Sequence, residues 1–114
     1  MYQHIEILGR LGQDPEMRYT ATGKAVTNIS VAVDRKWKDG EDWKSETTWF
    51  KVCFWGALGE RVNERARKGS LVFIAGEMRS NKYVNGEGVE VVSWELVGDT
   101  IRFCDSKEKE EISF

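Results

Sequence analysis

Apolar and polar residues alternate along most of this chain, and the alternation breaks at a few clear points. From Tyr2 to Leu11, Ile5, Ile7, Gly9 and Leu11 fall on one side, with His4, Glu6 and Arg10 on the other. A period of two is that of a strand with one buried face. Gly9 inside that run marks a bend or a close backbone approach. Gly12-Gln13-Asp14-Pro15 is a turn around the only proline. Met17 to Tyr19 reads as a short extended piece, and Thr22-Gly23-Lys24 turns again. Ala25 to Trp37 is a long second strand, with Thr27, Ile29, Val31 and Val33 opposed to Asn28, Ser30, Ala32 and Asp34. Asp39-Gly40 then signals a hairpin, and Thr47 to Trp55 is the returning strand. Gly56 breaks it.

Ala57 to Lys68 is the one helical stretch, because Leu58, Val62 and Ala66 recur at four-residue spacing. Glu64 and Lys68 would make a favourable pair on it, and Gly69 would stop it. Its remaining basic residues read as a solvated helix face. Ser70 to Asn81 is a fourth strand, with Val72, Ile74 and Met78 inward. Asn85-Gly86 is a second hairpin signal. Val89 to Phe103 is the fifth strand, with a bulge expected at Gly98-Asp99. After Cys104 the pattern stops. Residues 1–104 therefore form one domain, and 105–114 a short acidic tail expected to be disordered.

The order is three strands, a helix and two strands. An all-β chain with one short helix in that place matches the OB-fold, a five-stranded Greek-key barrel that binds oligonucleotides and oligosaccharides across its second and third strands. The third strand carries unusual chemistry. Phe50, Val52 and Phe54 make an ordinary core face, but the other face holds Trp49, Lys51, Cys53 and Trp55. Indoles flanking an ammonium suit a flat, anionic, π-faced ligand, and a single nucleic-acid strand is that. By itself the strand is equally compatible with burial on both faces. The hairpin tilts the balance, because Arg35, Lys36, Trp37, Lys38, Trp43 and Lys44 interleave aromatic and basic side chains along what reads as its exposed side.

Composition adds three things. Five tryptophans in 114 residues are many for one small domain. The net charge of -2 comes from the tail, where Asp105, Glu108, Glu110 and Glu111 outnumber Lys107 and Lys109. The body is balanced, so a polyanion site must arise from local segregation of charge. Cys53, Cys104 and the single histidine, His4, match no metal spacing, and no cofactor is expected. Two thiols without a signal peptide point to the cytoplasm. No apolar run reaches membrane-spanning length. No acid, base or nucleophile cluster suggests an enzyme. The alternative to nucleic-acid binding is an OB-fold interaction module whose aromatic face is a protein interface.

At this level the chain resembles the bacterial single-stranded DNA-binding protein family. The likeness covers about residues 2–104 and rests on several ordered stretches. They are Ile7 to Tyr19, Gly23-Lys24-Ala25-Val26-Thr27-Asn28, Thr47-Thr48-Trp49-Phe50-Lys51-Val52, and Arg67 to Arg79. The resemblance implies sequence-independent binding of single-stranded DNA in replication, recombination and repair, by a homo-oligomer that is a tetramer or else a dimer. It implies base stacking on Trp37, Trp49, Trp55, where a Phe is usual, and Tyr83, where a Trp is usual. Groove cations implied by the family are Arg10, Arg18, Lys51, Lys68, Arg79 and Lys82, joined here by Arg35 and Lys36 from the hairpin. An arginine usual before that last lysine is Asn81 in this chain. Phe50 stands where some members have a His near the subunit interface. Family members end in a long linker and an acidic tip that docks replication and repair proteins. Here the linker is nearly absent, and Glu110, Glu111, Ile112 and Phe114 resemble the tip, with Ser113 in place of a proline.

Overall fold

The computed structural model describes residues 1–104; the tail, including the tip-like Glu110, Glu111, Ile112 and Phe114, lies outside the described residues. The chain runs β1 (Ile5–Leu11), β2 (Glu16–Tyr19), β3 (Ala25–Asp39), β4 (Asp42–Trp55), α1 (Gly56–Arg65), β5 (Leu71–Val84) and β6 (Glu90–Phe103). Strand neighbours follow the order β1, β5, β6, β4, β3, and β3 returns to β1 at Arg10 opposite Ala32 and Leu11 opposite Val31. That closes a five-stranded OB-fold barrel, with β4 and β6 its one parallel pair. The short extended piece after Pro15 is a true strand: β2 pairs with β3 outside the closed ring.

The alternation decides which way each strand faces. In β1 the apolar set is buried and the polar set is not. Gly9 lies where a Cβ would collide with the Ala32 carbonyl, which is the close approach expected of it. Phe54, Ile74, Leu96, Val31, Val52, Val62 and Val72 are fully enclosed and fill the barrel. The helix plugs one end. Val62 and Ala66 join the core, and the buried Thr27 hydroxyl donates to the Gly59 carbonyl at 2.6 Å, tying β3 to α1.

β4 begins at Asp42, before the expected Thr47, and β5 runs to Val84, past the expected Asn81; the helix end and both hairpin turns differ as well. The helix ends at Arg65 because Ala66 turns extended (ψ 144°) while its N–H still bonds the Val62 carbonyl at 2.8 Å. Lys68 is thus beyond the helix and the Glu64–Lys68 helical pair is not made; Gly69 belongs to a later turn. The first hairpin turns at Gly40-Glu41, one residue on, since Asp39 still pairs with Asp42. Gly40 has φ +67° and Glu41 has no positive φ, the pattern of a type II′ turn. The second hairpin has a five-residue loop, residues 85–89, between Val84 and its partner Glu90. There the Asn85 carboxamide oxygen accepts from the N–H groups of Glu87 (2.9 Å) and Val89 (3.0 Å). The expected bulge is present: Ala75 pairs with Thr100 and Gly76 with Gly98, leaving Asp99 unpaired.

Candidate nucleic-acid interface

Strand register assembles the site. Residues directly opposite each other on paired strands share a face. On the outer face of the barrel, Arg10, Ala32 and Trp49 form one row across β1, β3 and β4. Arg18, Val26 and Trp55 form a second across β2, β3 and β4. Between them lie Ser30 opposite Lys51 and Asn28 opposite Cys53. Both indoles are open to solvent, Trp49 at 60% and Trp55 at 40%. A shallow trough beside Lys51 is edged by Gln13, Glu16, Asn28, Ser30 and Glu95.

Each ring touches a neighbouring segment. A methyl at Gly12 would stand 2.6 Å from Cζ3 and 2.8 Å from Cη2 of Trp49, so that edge of the ring sits against bare backbone there. The Lys24 ammonium sits 5.5 Å from the Trp55 ring centroid, a cation–π contact. Lys24 was visible in the sequence only as a turn residue; its place beside Trp55 follows from the β3–β4 register. Arg10 donates to the Gly69 carbonyl at 3.0 Å, and the Lys68 N–H donates to Asp14 at 2.8 Å. These bonds bring the loop bearing Lys68 alongside Arg10.

Arg79 and Tyr83 continue the same face on β5, opposite Glu95 and Val91, and Tyr83 is half exposed. Cys53 is buried beneath this face. Burial first, and the nearby Glu95 carboxylate second, push its thiol above the usual range. It therefore stays protonated at neutral pH and is no nucleophile.

Other residues fall elsewhere. The hairpin cations and rings do not share one exposed side, because strand alternation divides them. Lys36 and Lys38 extend the outer face, opposite Ser45 and Trp43, whereas Arg35 and Trp37 lie on the reverse face, opposite Glu46 and Lys44. There the Arg35 guanidinium covers the Trp37 ring at 4.7 Å, and Lys44 pairs with Asp39 at 3.0 Å. Lys82 is also on the reverse phase of its strand and lies 3.8 Å from Glu90. Trp94, opposite Ser80, is 59% exposed and so no part of the core.

The model of the single-strand binding protein family matches residues 2–104. The chain belongs to the single-strand binding protein family. Among its relatives, it is 35% identical to "Single-stranded DNA-binding protein B" of Bacillus subtilis (strain 168), over 97% of both chains. It is 41% identical to the single-stranded DNA-binding proteins of Xanthomonas axonopodis pv. citri and Xanthomonas campestris pv. campestris, over 90% of this chain. This chain spans 58% and 60% of those two proteins. A solved structure titled "Plasmodium falciparum SSB complex with ssDNA" superimposes with a TM-score of 0.83, covering 92% of this chain and 96% of that one. At 23% identity it bears on the fold alone, and the fold is that of this family's barrel. Among the described residues no helix is long and apolar enough to cross a membrane, and no cluster of three or more His, Cys, Asp or Glu is placed to hold a metal.

Proposed function

We propose that this family member binds single-stranded DNA without regard to sequence and catalyses nothing. The observation that carries the reading is the outer-face set of Trp49, Lys51 and Trp55, backed by Arg10 and Arg18 in the same two rows. Bases stack on the open indoles and on Tyr83, each stack worth about 1–3 kcal/mol. Arg10, Arg18, Lys51, Lys68 and Arg79 neutralise phosphates and release counterions, so affinity falls as salt rises. Stacking is indifferent to base identity. Duplex DNA is refused because its paired bases hide their faces. Trp37, Arg35 and Lys82 receive the strand where it passes round a hairpin to the reverse face. The charge segregation that a balanced body requires is supported by the placement of Arg10, Arg18, Lys24 and Lys51 around the two indoles.

The same reading includes self-association, as a tetramer or a dimer. It is supported by β1, which meets β3 only at Arg10 and Leu11 and so leaves its N-terminal half with an open edge. Leu8, 53% exposed, stands opposite Phe73 on that outer surface. Docking of replication and repair proteins would fall to the tip residues Glu110, Glu111, Ile112 and Phe114. Such work takes place in the cytoplasm, at the nucleoid.

The test is a titration of tryptophan fluorescence with oligothymidylate at low and high salt, beside a matched duplex. Strong quenching by the single strand alone, weaker at high salt, is expected. Trp49→Ala and Trp55→Ala should each weaken binding by about tenfold or more. Absence of quenching at both salts would hand the aromatic face to a protein partner.

A further inference from the structure

The geometry points to Trp43 and Lys38 as a third stacking rung, which carries the bound strand out along the β3–β4 ribbon beyond the barrel. This inference rests on the single-strand-binding reading above. Trp43, Trp49 and Trp55 are spaced by six residues on one strand, and an even spacing keeps all three on one face. At about 3.3 Å per residue, successive rings are roughly 20 Å apart. The ribbon's twist turns that face gradually, so the rungs follow a spiral path.

Trp43 is 71% exposed. Among the described residues its indole makes no ring contact, cation–π contact or hydrogen bond. A large ring so exposed at a ribbon tip buries little in the monomer, which suits an external occupant. Its cross-strand partner is Lys38, and Lys36 lies one row inward. Neither lysine has an ion-pair partner among the described residues, whereas Lys44 on the reverse face is held by Asp39. One acid interrupts the track: Asp34 sits opposite Thr47, whose hydroxyl donates to it at 2.7 Å. The row Lys36–Ser45 separates it from Trp43. A ring with a lysine beside it repeats the arrangement at Trp55, where Lys24 lies over the indole.

Protein carrying 5-fluorotryptophan, its five resonances assigned by single Trp→Phe variants, tests this directly. Saturating oligothymidylate should shift the Trp43 signal together with those of Trp49 and Trp55. Affinity should fall about tenfold in Trp43→Ala and recover to within about threefold in Trp43→Phe, since a phenyl ring still stacks. Lys38→Ala should lower the salt dependence by about 0.7 of a counterion. A Trp43 signal that stays put while Trp49 shifts would overturn the third rung and leave the barrel site standing. If Trp49 is also unmoved, the binding reading itself fails. A Trp43→Ala protein that binds like the parent, or that changes its sedimentation coefficient in the absence of DNA, would equally overturn the rung, the latter by making Trp43 a subunit contact.

Discussion

Trp49 performs two tasks with one ring. Most of it faces solvent, and its Cζ3–Cη2 edge lies against Gly12, whose N–H donates to the Ser30 carbonyl at 3.0 Å. Gly12→Ala should therefore lift the ring and cost about tenfold in affinity for oligothymidylate, a loss of the order of one stack. The barrel should melt nearly as before, because the displaced ring is exposed. Calorimetry alongside the titration separates the two effects. Trp49, Trp55 and Lys51 were legible in the sequence, since alternation within one strand reveals residues that share a face. Lys24 and Gly12 were not, because their roles depend on which residue of another strand lies beside them. Trp37 is a different case, decided by alternation within its own strand. It follows the basic run directly, but it sits an odd number of residues from Lys36 and Lys38 and so points the other way.

At the scale of elements, the two hairpins reach past the barrel by different means. The β3–β4 arm is paired all the way to Asp39 and Asp42 and closes in two residues. The β5–β6 arm closes through a longer loop that depends on one side chain. Asn85→Ala removes both carboxamide bonds, each contributing about 1 kcal/mol. The outer pairs, Val84 with Glu90 and Tyr83 with Val91, should then fray, and their amides should exchange several-fold faster while those of Ile74 and Leu96 hold. Strand existence was readable from alternation. Turn type was not: Asp-Gly and Asn-Gly both signal tight hairpins, and neither forms the two-residue turn at its own position. The pairing of Asp39 with Asp42 and the reach of the Asn85 side chain decide the matter. The helix end moved for a similar reason, since Ser70 bonds the Arg67 N–H and carbonyl and draws residues 67–70 into a turn.

For the whole molecule, the proposed reading assigns one surface of the barrel to DNA and another to self-association. The aromatic rows lie on β3 and β4, while Leu8 and Phe73 lie on β1 and β5. Leu8→Glu would place a charge where two such surfaces meet. It should shift the protein to a smaller species by sedimentation velocity. Quenching by a short oligothymidylate should survive, because none of the stacking rings touches that surface. The fold class was legible from element order, and the closing β1–β3 contact was not, since two bridged pairs leave no trace in a hydrophobic pattern.

The uninterrupted pairing of β3 with β4 also constrains how such a protein can change over generations. Insertions of two residues in each strand at Gly40-Glu41 would lengthen the arm in steps of about 6.6 Å without moving a residue near the barrel. A single inserted residue deeper in either strand would exchange the two faces for everything beyond it. If the arm carries the strand as proposed, the tip is where the length of DNA covered can drift, while the inner rows are locked in frame.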